Sequence, residues 1–232
     1  ARTTGANKTG VAEMALMMML AAGRQVMLNR KTVASGVWEK NIGHELIGKK
    51  VGILGFGNIG MALAKLLQGF DCEVLAYDTY RNEAAASDLN VRFADLNEIL
   101  TTCDAISVHL PDNKGTDHLL DANVFNKMKP DSILVCTARG KIVDEDALYE
   151  ALVSHKIGGA GLDVYAVEPL PTDSKLIGLD NIVLTPHVSS QTYESIWATY
   201  KKGVDIVADF FAGKELDRSD LLNPDYAQNA RK

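Results

Sequence analysis

Cysteine is scarce: only Cys72, Cys103 and Cys136 occur in 232 residues. Their odd number and their lack of metal-ligand spacing argue against a disulfide framework and a cysteine-held metal. Each lies in or beside a predicted strand, so reduced, buried thiols of a cytoplasmic protein are expected, and no metal site. Clustered lysine or arginine is also missing. With a net charge of -6 and a pI near 5.4, the chain has no electrostatic footprint for nucleic acid or an anionic membrane, so an anionic ligand must be held locally. No apolar run is long enough to span a bilayer. The longest, from Val11 to Ala22, imitates a secretory signal through Arg2 and Lys8 before it and Ala21-Ala22-Gly23 after it, but Glu13 interrupts it. Its Ala, Leu and Met residues predict instead a buried helix, apolar on most sides, from about Lys8 to Arg30. Internal repeats and low-complexity segments are absent too.

What is present is an alternation. Hydrophobic residues make up 47% of the chain, enough for a sizeable core in one large domain or one and a half small ones. From Lys50 onward, β-rich apolar runs alternate with helical patterns: VGILGF, NIGMALAKLLQGF, EVLAYD, then a polar helical stretch. Further strands are predicted at Val91–Phe93, Asp104–His109, Ser132–Cys136, Ala160–Asp163 and Ile182–Thr185. Helices are predicted at Leu96–Thr101, Asp144–Ser154 and Gln191–Ala212. Consecutive strand-helix-strand units with right-handed crossovers give an α/β fold, a doubly wound parallel sheet of Rossmann type with helices on both faces. The polar tail after Gly213 is expected to be irregular and mobile.

Gly55, Gly57 and Gly60 form G-x-G-x-x-G between a predicted strand and a predicted helix. With 19 glycines in the chain the letters alone are weak; the context makes them a dinucleotide fingerprint. Gly55 turns the chain, Gly57 lets the backbone approach a pyrophosphate, and Gly60 permits close helix-strand packing. The helix that begins near Asn58 and Ile59 offers unpaired N–H groups and a positive dipole end. At the end of the second strand, Asp78 is placed to accept hydrogen bonds from the adenosine ribose. A 2'-phosphate about 5 Å from that carboxylate would be repelled by roughly 3 kcal/mol per unit charge at an effective dielectric near 20, which favours NAD over NADP. Arg81 reads either as a partner for such a phosphate or as a solvated surface residue.

Three later segments end predicted strands, where open parallel sheets bind ligands: Cys136-Thr-Ala-Arg-Gly140, Asp163-Val-Tyr-Ala-Val-Glu-Pro169 and Thr185-Pro-His-Val-Ser-Ser190. Together with VGILGFGNIG, Tyr77-Asp78, Ser107-Val-His-Leu-Pro111 and Gly10-Val-Ala-Glu13, they resemble the D-isomer-specific 2-hydroxyacid dehydrogenase family, in order from about Thr4 to Gly213. That family includes D-lactate, D-3-phosphoglycerate, glyoxylate/hydroxypyruvate and formate dehydrogenases. The resemblance implies an NAD-dependent oxidoreductase with Arg139, Glu168 and His187 as catalytic residues. Imidazole suits the proton transfer that accompanies hydride addition to a carbonyl. Glu168 would fix its tautomer, and the planar, permanently charged Arg139 would clamp the 2-oxo acid's carboxylate. The resemblance also places Leu110, Pro111, Thr137, Ala138, Arg139, Asp163 and His187 against the cofactor, with Asp163 near the nicotinamide amide. Read from the residues alone, Asp163 caps the following loop. His109 is a loop or cofactor-pocket residue.

The family has about a hundred residues before the long first helix, most of a flavodoxin-like substrate domain. The resemblance therefore implies an NAD-binding domain over 1–190, with residues 191–232 as the remnant of that second domain, in a chain that binds NAD but turns over poorly. It also implies a homodimer formed near the long helix, with a small 2-hydroxy or 2-oxo acid as substrate. One branch of the family consists of NAD-sensing corepressors, which is the alternative reading. The order of Arg139, Glu168 and His187 argues against the Rossmann domain of an S-adenosylhomocysteine hydrolase.

Overall fold

The predicted alternation is realised as seven parallel strands in the order β3-β2-β1-β4-β5-β6-β7. The computed structural model describes residues 1–223. The strands are β1 (Lys50–Leu54), β2 (Glu73–Tyr77), β3 (Val91–Phe93), β4 (Ala105–Val108), β5 (Ile133–Cys136), β6 (Gly159–Leu162) and β7 (Ile182–Leu184). Each agrees with its predicted run to within two residues at either end. The order turns back at β1, which pairs with both β2 and β4, and this creates the crevice where such sheets take ligands.

Alternation along the strands builds two cores. On one face Val51, Ile53, Val74, Ala76, Ile133 and Val135 pack against α1 (Lys8–Gly23), α3 (Asn58–Leu67) and α4 (Glu83–Asp88). On the other, Leu54, Leu75, Ile106, Leu134 and Cys136 meet α5 (Leu96–Thr102), α6 (Ala122–Lys127) and α7 (Glu145–Val153). Burying both faces is why the strands read as continuous apolar runs.

The expected Lys8–Arg30 helix is instead two helices. α1 stops at Gly23, Gln25 takes a left-handed φ of 51°, and α2 (Val26–Ala34) leaves at 59°. The His44 amide donates to the Gly23 carbonyl at 2.8 Å, so a distant segment supplies the hydrogen bond that the next turn would have made. α1 is buried as expected, but by its own chain: Val11, Ala12, Ala15, Met18, Met19 and Ala22 face α3 and the sheet. Met17 is its exposed apolar residue, and a further group of exposed apolar residues follows it at Val33, Val37, Trp38, Ile42 and Ile47. No single helix among the described residues is long and apolar enough to cross a membrane.

The last helix, α8 (Tyr193–Phe211), is capped by Thr192, whose side chain accepts the Ser195 amide. Beyond it the expected loose tail is corrected in part. Residues Arg218–Asp220 form a 3-10 turn whose Asp220 is buried. Its carboxylate accepts from the Thr4 amide at 3.1 Å and pairs with Lys202 at 2.8 Å, while its carbonyl accepts the Arg2 amide. The final residues of the expected tail, 224–232, lie outside the described part. No second sheet occurs among the described residues.

Candidate active site and dinucleotide crevice

The glycine loop joins β1 to α3 as the sequence predicts. Gly55 has φ +101°, and a side chain there would meet the His109 carbonyl. At Gly60 a Cβ would lie 2.2 Å from the Gly55 carbonyl, so helix and turn touch backbone to backbone. A Cβ at Gly57 meets nothing within 4 Å: that glycine keeps a surface open rather than filling a contact. Gly57 is also the N-cap of α3 and supplies no side-chain acceptor. The first-turn N–H groups at Asn58 and Ile59 therefore point outward unpaired, suited to an anion. Asn58 also packs against the backbone of Gly5.

Asp78 leaves β2 beside this loop. Its carboxylate accepts the Phe56 amide at 2.7 Å and the Tyr80 amide at 3.0 Å, which ties the glycine loop to the strand that follows. Arg81 lies with its guanidinium 5.5 Å above the Phe93 ring, a cation–π contact.

At the carboxyl ends of β4, β5, β6 and β7 a cleft of about 460 Å³ is lined by Ile59, Leu110, Pro111, Thr137, Ala138, Arg139, Asp163 and His187. It thus collects most of the residues singled out in the sequence. Asn7 and Val11 from the start of α1, together with His109, Asp112, Ser189 and Ser190, complete it.

His187 and Glu168 stand on neighbouring loops, with Nδ1 2.8 Å from Oε2. The hydrogen bond to His187 and then the Tyr165 amide hold the Glu168 carboxyl below the usual carboxylate range. An ionised carboxylate only accepts, so Nδ1 carries the proton and Nε2 is the free ring nitrogen. His187 has φ +54°, a conformation that L residues adopt at a cost. Its amide is held there by the Asp163 and Thr185 carbonyls at 2.8 and 3.1 Å.

Asp163 also lines this cleft. It is fully enclosed, and its oxygens accept from Thr185 Oγ1, Ser189 Oγ and the amides of Val188 and Ser189. These bonds go into the loop that carries His187, not into the segment that follows Asp163 in the chain as a cap of that loop would. Tyr165, which the sequence did not single out, donates its hydroxyl to the Thr185 carbonyl at 2.9 Å, and burial pushes its pKa up to about 12. Tyr165 therefore stays neutral and braces the same loop.

Arg139 is exposed at the cleft, with Nη1 donating to the Ala138 carbonyl at 2.6 Å. Its loop is pressed so closely on the next that a Cβ at Gly140 would overlap the Tyr165 carbonyl carbon. That approach sets Arg139 beside the segment bearing Glu168. A second, mostly apolar hollow of about 700 Å³, lined by Tyr165, Leu170, Ile177 and Leu184, opens on the other side of Glu168 and His187. No group of three or more acidic, histidine or cysteine side chains among the described residues could hold a metal.

The family model described as "D-isomer specific 2-hydroxyacid dehydrogenase, NAD binding domain" matches residues 16–189. A hydroxypyruvate reductase of Thermotoga maritima is 42% identical over 219 residues, 92% of this chain and 69% of that protein. A D-3-phosphoglycerate dehydrogenase of Archaeoglobus fulgidus is 41% identical over 82% of this chain and 37% of that protein. Among solved structures, the NAD-dependent formate dehydrogenase of Staphylococcus aureus in complex with NAD superposes with a TM-score of 0.84 at 34% identity, covering 95% of this chain and 67% of the other. The chain thus spans from about a third to about two thirds of the proteins it matches.

Proposed function

Since the chain belongs to the D-isomer specific 2-hydroxyacid dehydrogenase family and carries its NAD-binding domain, we propose that it serves the interconversion of a small 2-oxo acid and its D-2-hydroxy acid. The observation that carries this reading is the Glu168–His187 pair, 2.8 Å apart, at the rim of a cleft that also holds Arg139 and reaches the start of α3.

The residues fit a dinucleotide. Gly57 leaves its surface open, α3 presents uncapped amides, and Asp78 offers a carboxylate beside the loop. In this reading Gly57, Asn58 and Ile59 hold the phosphates on a loop that Gly55 and Gly60 shape, Asp78 holds the adenosine ribose, and Leu110, Pro111, Thr137 and Ala138 the far half. When bound, the nicotinamide ring supplies the hydride for reduction and accepts it in oxidation.

This chain's own residues do the rest. In reduction the 2-oxo acid's carbonyl carbon gains the hydride and its oxygen takes the second proton, on Nε2, of a doubly protonated His187 ring, which is left as the neutral imidazole with Nδ1–H on Glu168. In oxidation Nε2 takes that proton back. Arg139, with one N–H on Ala138, has donors left for the substrate carboxylate and carbonyl oxygen. Asp163 and Tyr165 act one step back, by fixing the loop that sets the imidazole.

Asp78 favours NAD over NADP, and Arg81, engaged on Phe93, does not oppose it. We assign the protein to the cytoplasm. Its partner is a second copy of the chain, with the contact on the exposed Val33, Val37, Trp38, Ile42 and Ile47 that follow α1 rather than on α1 itself.

The test is a fluorescence titration of the purified chain with NADH and NADPH, followed by NADH oxidation with hydroxypyruvate, glyoxylate and phosphohydroxypyruvate. Saturable NADH binding, and turnover that falls about 10²–10⁴-fold in His187→Asn with binding kept, supports the assignment. Absence of binding, or turnover unchanged by the substitution, overturns it.

A further inference from the structure

Two side-chain atoms in the cleft stand out because none of the described residues satisfies them. His109 Nδ1 and Thr137 Oγ1 are both buried and have no hydrogen-bond partner among the described residues. Buried polar atoms of folded proteins are nearly always paired, so an orphan at a binding crevice marks the place of a missing partner. Both residues line the same cleft, and they follow the adjacent paired strands β4 and β5.

The position of His109 is specific. Its amide donates to the Leu54 carbonyl at 2.7 Å, and its own carbonyl fills the space that a Gly55 side chain would need. It therefore sits between the ends of β1 and β4, where the strand order reverses and where a dinucleotide crosses a sheet of this kind.

The proton on the ring can be placed. Nε2 lies 2.9 Å from Ser107 Oγ, and Ser107 is fully buried. If Nε2–H donated to Ser107, the serine proton would be left without an acceptor. Donation by the serine hydroxyl to Nε2 satisfies both groups and puts the ring proton on Nδ1. Burial pushes the His109 pKa down to about 4, so the ring is a neutral donor throughout the physiological range.

Resting on the cofactor reading above, we propose that His109 is a cofactor-binding residue: Nδ1–H, together with the Thr137 hydroxyl, holds an oxygen of the bound dinucleotide at the floor of the cleft. Ser107 is its positioning residue, selecting the tautomer that makes the donation.

Asparagine and glutamine separate the two ring nitrogens, because the Asn amide reaches the place of Nδ1 and the Gln amide that of Nε2. NADH titration by fluorescence of the purified chain should find His109→Asn within about threefold of the parent, and His109→Gln and Thr137→Val weaker by roughly tenfold, the scale of one lost hydrogen bond. Thermal unfolding checks that each variant is folded, and Thr137→Val, which exchanges one hydroxyl for a methyl, carries the test if the histidine variants are not. Equal affinities throughout, or Gln retained and Asn impaired, would overturn the proposal and leave His109 a partner of Ser107 alone. A parent chain that binds neither NADH nor NADPH removes the cofactor reading and this one together; a binding parent with indifferent variants removes only this one.

Discussion

Asp163 grips His187 from behind: its backbone carbonyl accepts the His187 amide at 2.8 Å, and its carboxylate takes the amides of the next two residues. One buried side chain thereby fixes the left-handed turn that turns the imidazole toward Glu168. Asp163→Asn replaces an acceptor-only group by one with two donors, facing hydroxyls and amides already aimed at it. We expect a loss of about 1–3 kcal/mol of folding stability, seen as a lower midpoint in urea, and a larger loss of turnover than of NADH affinity. A midpoint equal to the parent's would deny Asp163 its role in the loop.

Two glycines of one fingerprint should fail in opposite ways. Gly60→Ala drives a methyl into the Gly55 carbonyl and should cost about 1–3 kcal/mol of stability. Gly57→Ala meets nothing in the protein, so its unfolding temperature should match the parent's while NADH affinity drops tenfold or more. If Gly57→Ala binds normally, no phosphate lies against that surface.

Asp78 carries both a selectivity and a structural task. Asp78→Ala should erase the preference for NADH over NADPH in a fluorescence titration, since the repulsion of roughly 3 kcal/mol at about 5 Å disappears. It also strands the Phe56 and Tyr80 amides, which should lower the unfolding midpoint modestly. A preference that survives the substitution would move cofactor selection elsewhere.

The ends of the chain should respond to acid. The hydrogen bond from Lys202 holds the Asp220 carboxyl below its usual range. A depressed carboxylate contributes stability that is complete above the unfolded value of about 3.9 and is lost as pH falls through the lower folded value. Hydrogen exchange at the Arg2 and Thr4 amides should thus stay slow at pH 5 and accelerate only well below pH 4. In Asp220→Asn it should be fast at neutral pH. Fast exchange in the parent at pH 7 would show that the contact does not form in solution.

The strands were legible because burial on both faces writes them as unbroken apolar runs, and the glycine loop because its spacing falls between a strand and a helix. α6 was not. Its six residues bury only Phe125, too little for a periodic signal. The break at Gln25 escaped because its cause, the His44 amide on Gly23, lies many residues further along the chain. The same holds at the site. Arg139, Glu168 and His187 could be read from strand ends and family likeness, whereas the bonds radiating from Asp163 and the Tyr165 brace depend on how β6 and β7 line up. That alignment exists only in three dimensions. The fold brings Thr137, Asp163 and His187 together in one cleft, and the bonds from Asp163 into the His187 loop belong to neither reading of the lone residue.

The Asp220 contact with Arg2 and Thr4 also has a mechanical meaning. It shuts the described chain into a loop, fastened at one point by exchangeable hydrogen bonds. Tension applied between residues 2 and 220 would fall on that fastening before any strand of the sheet felt it. The lowest rupture force in a single-molecule pulling trace should belong to this clasp.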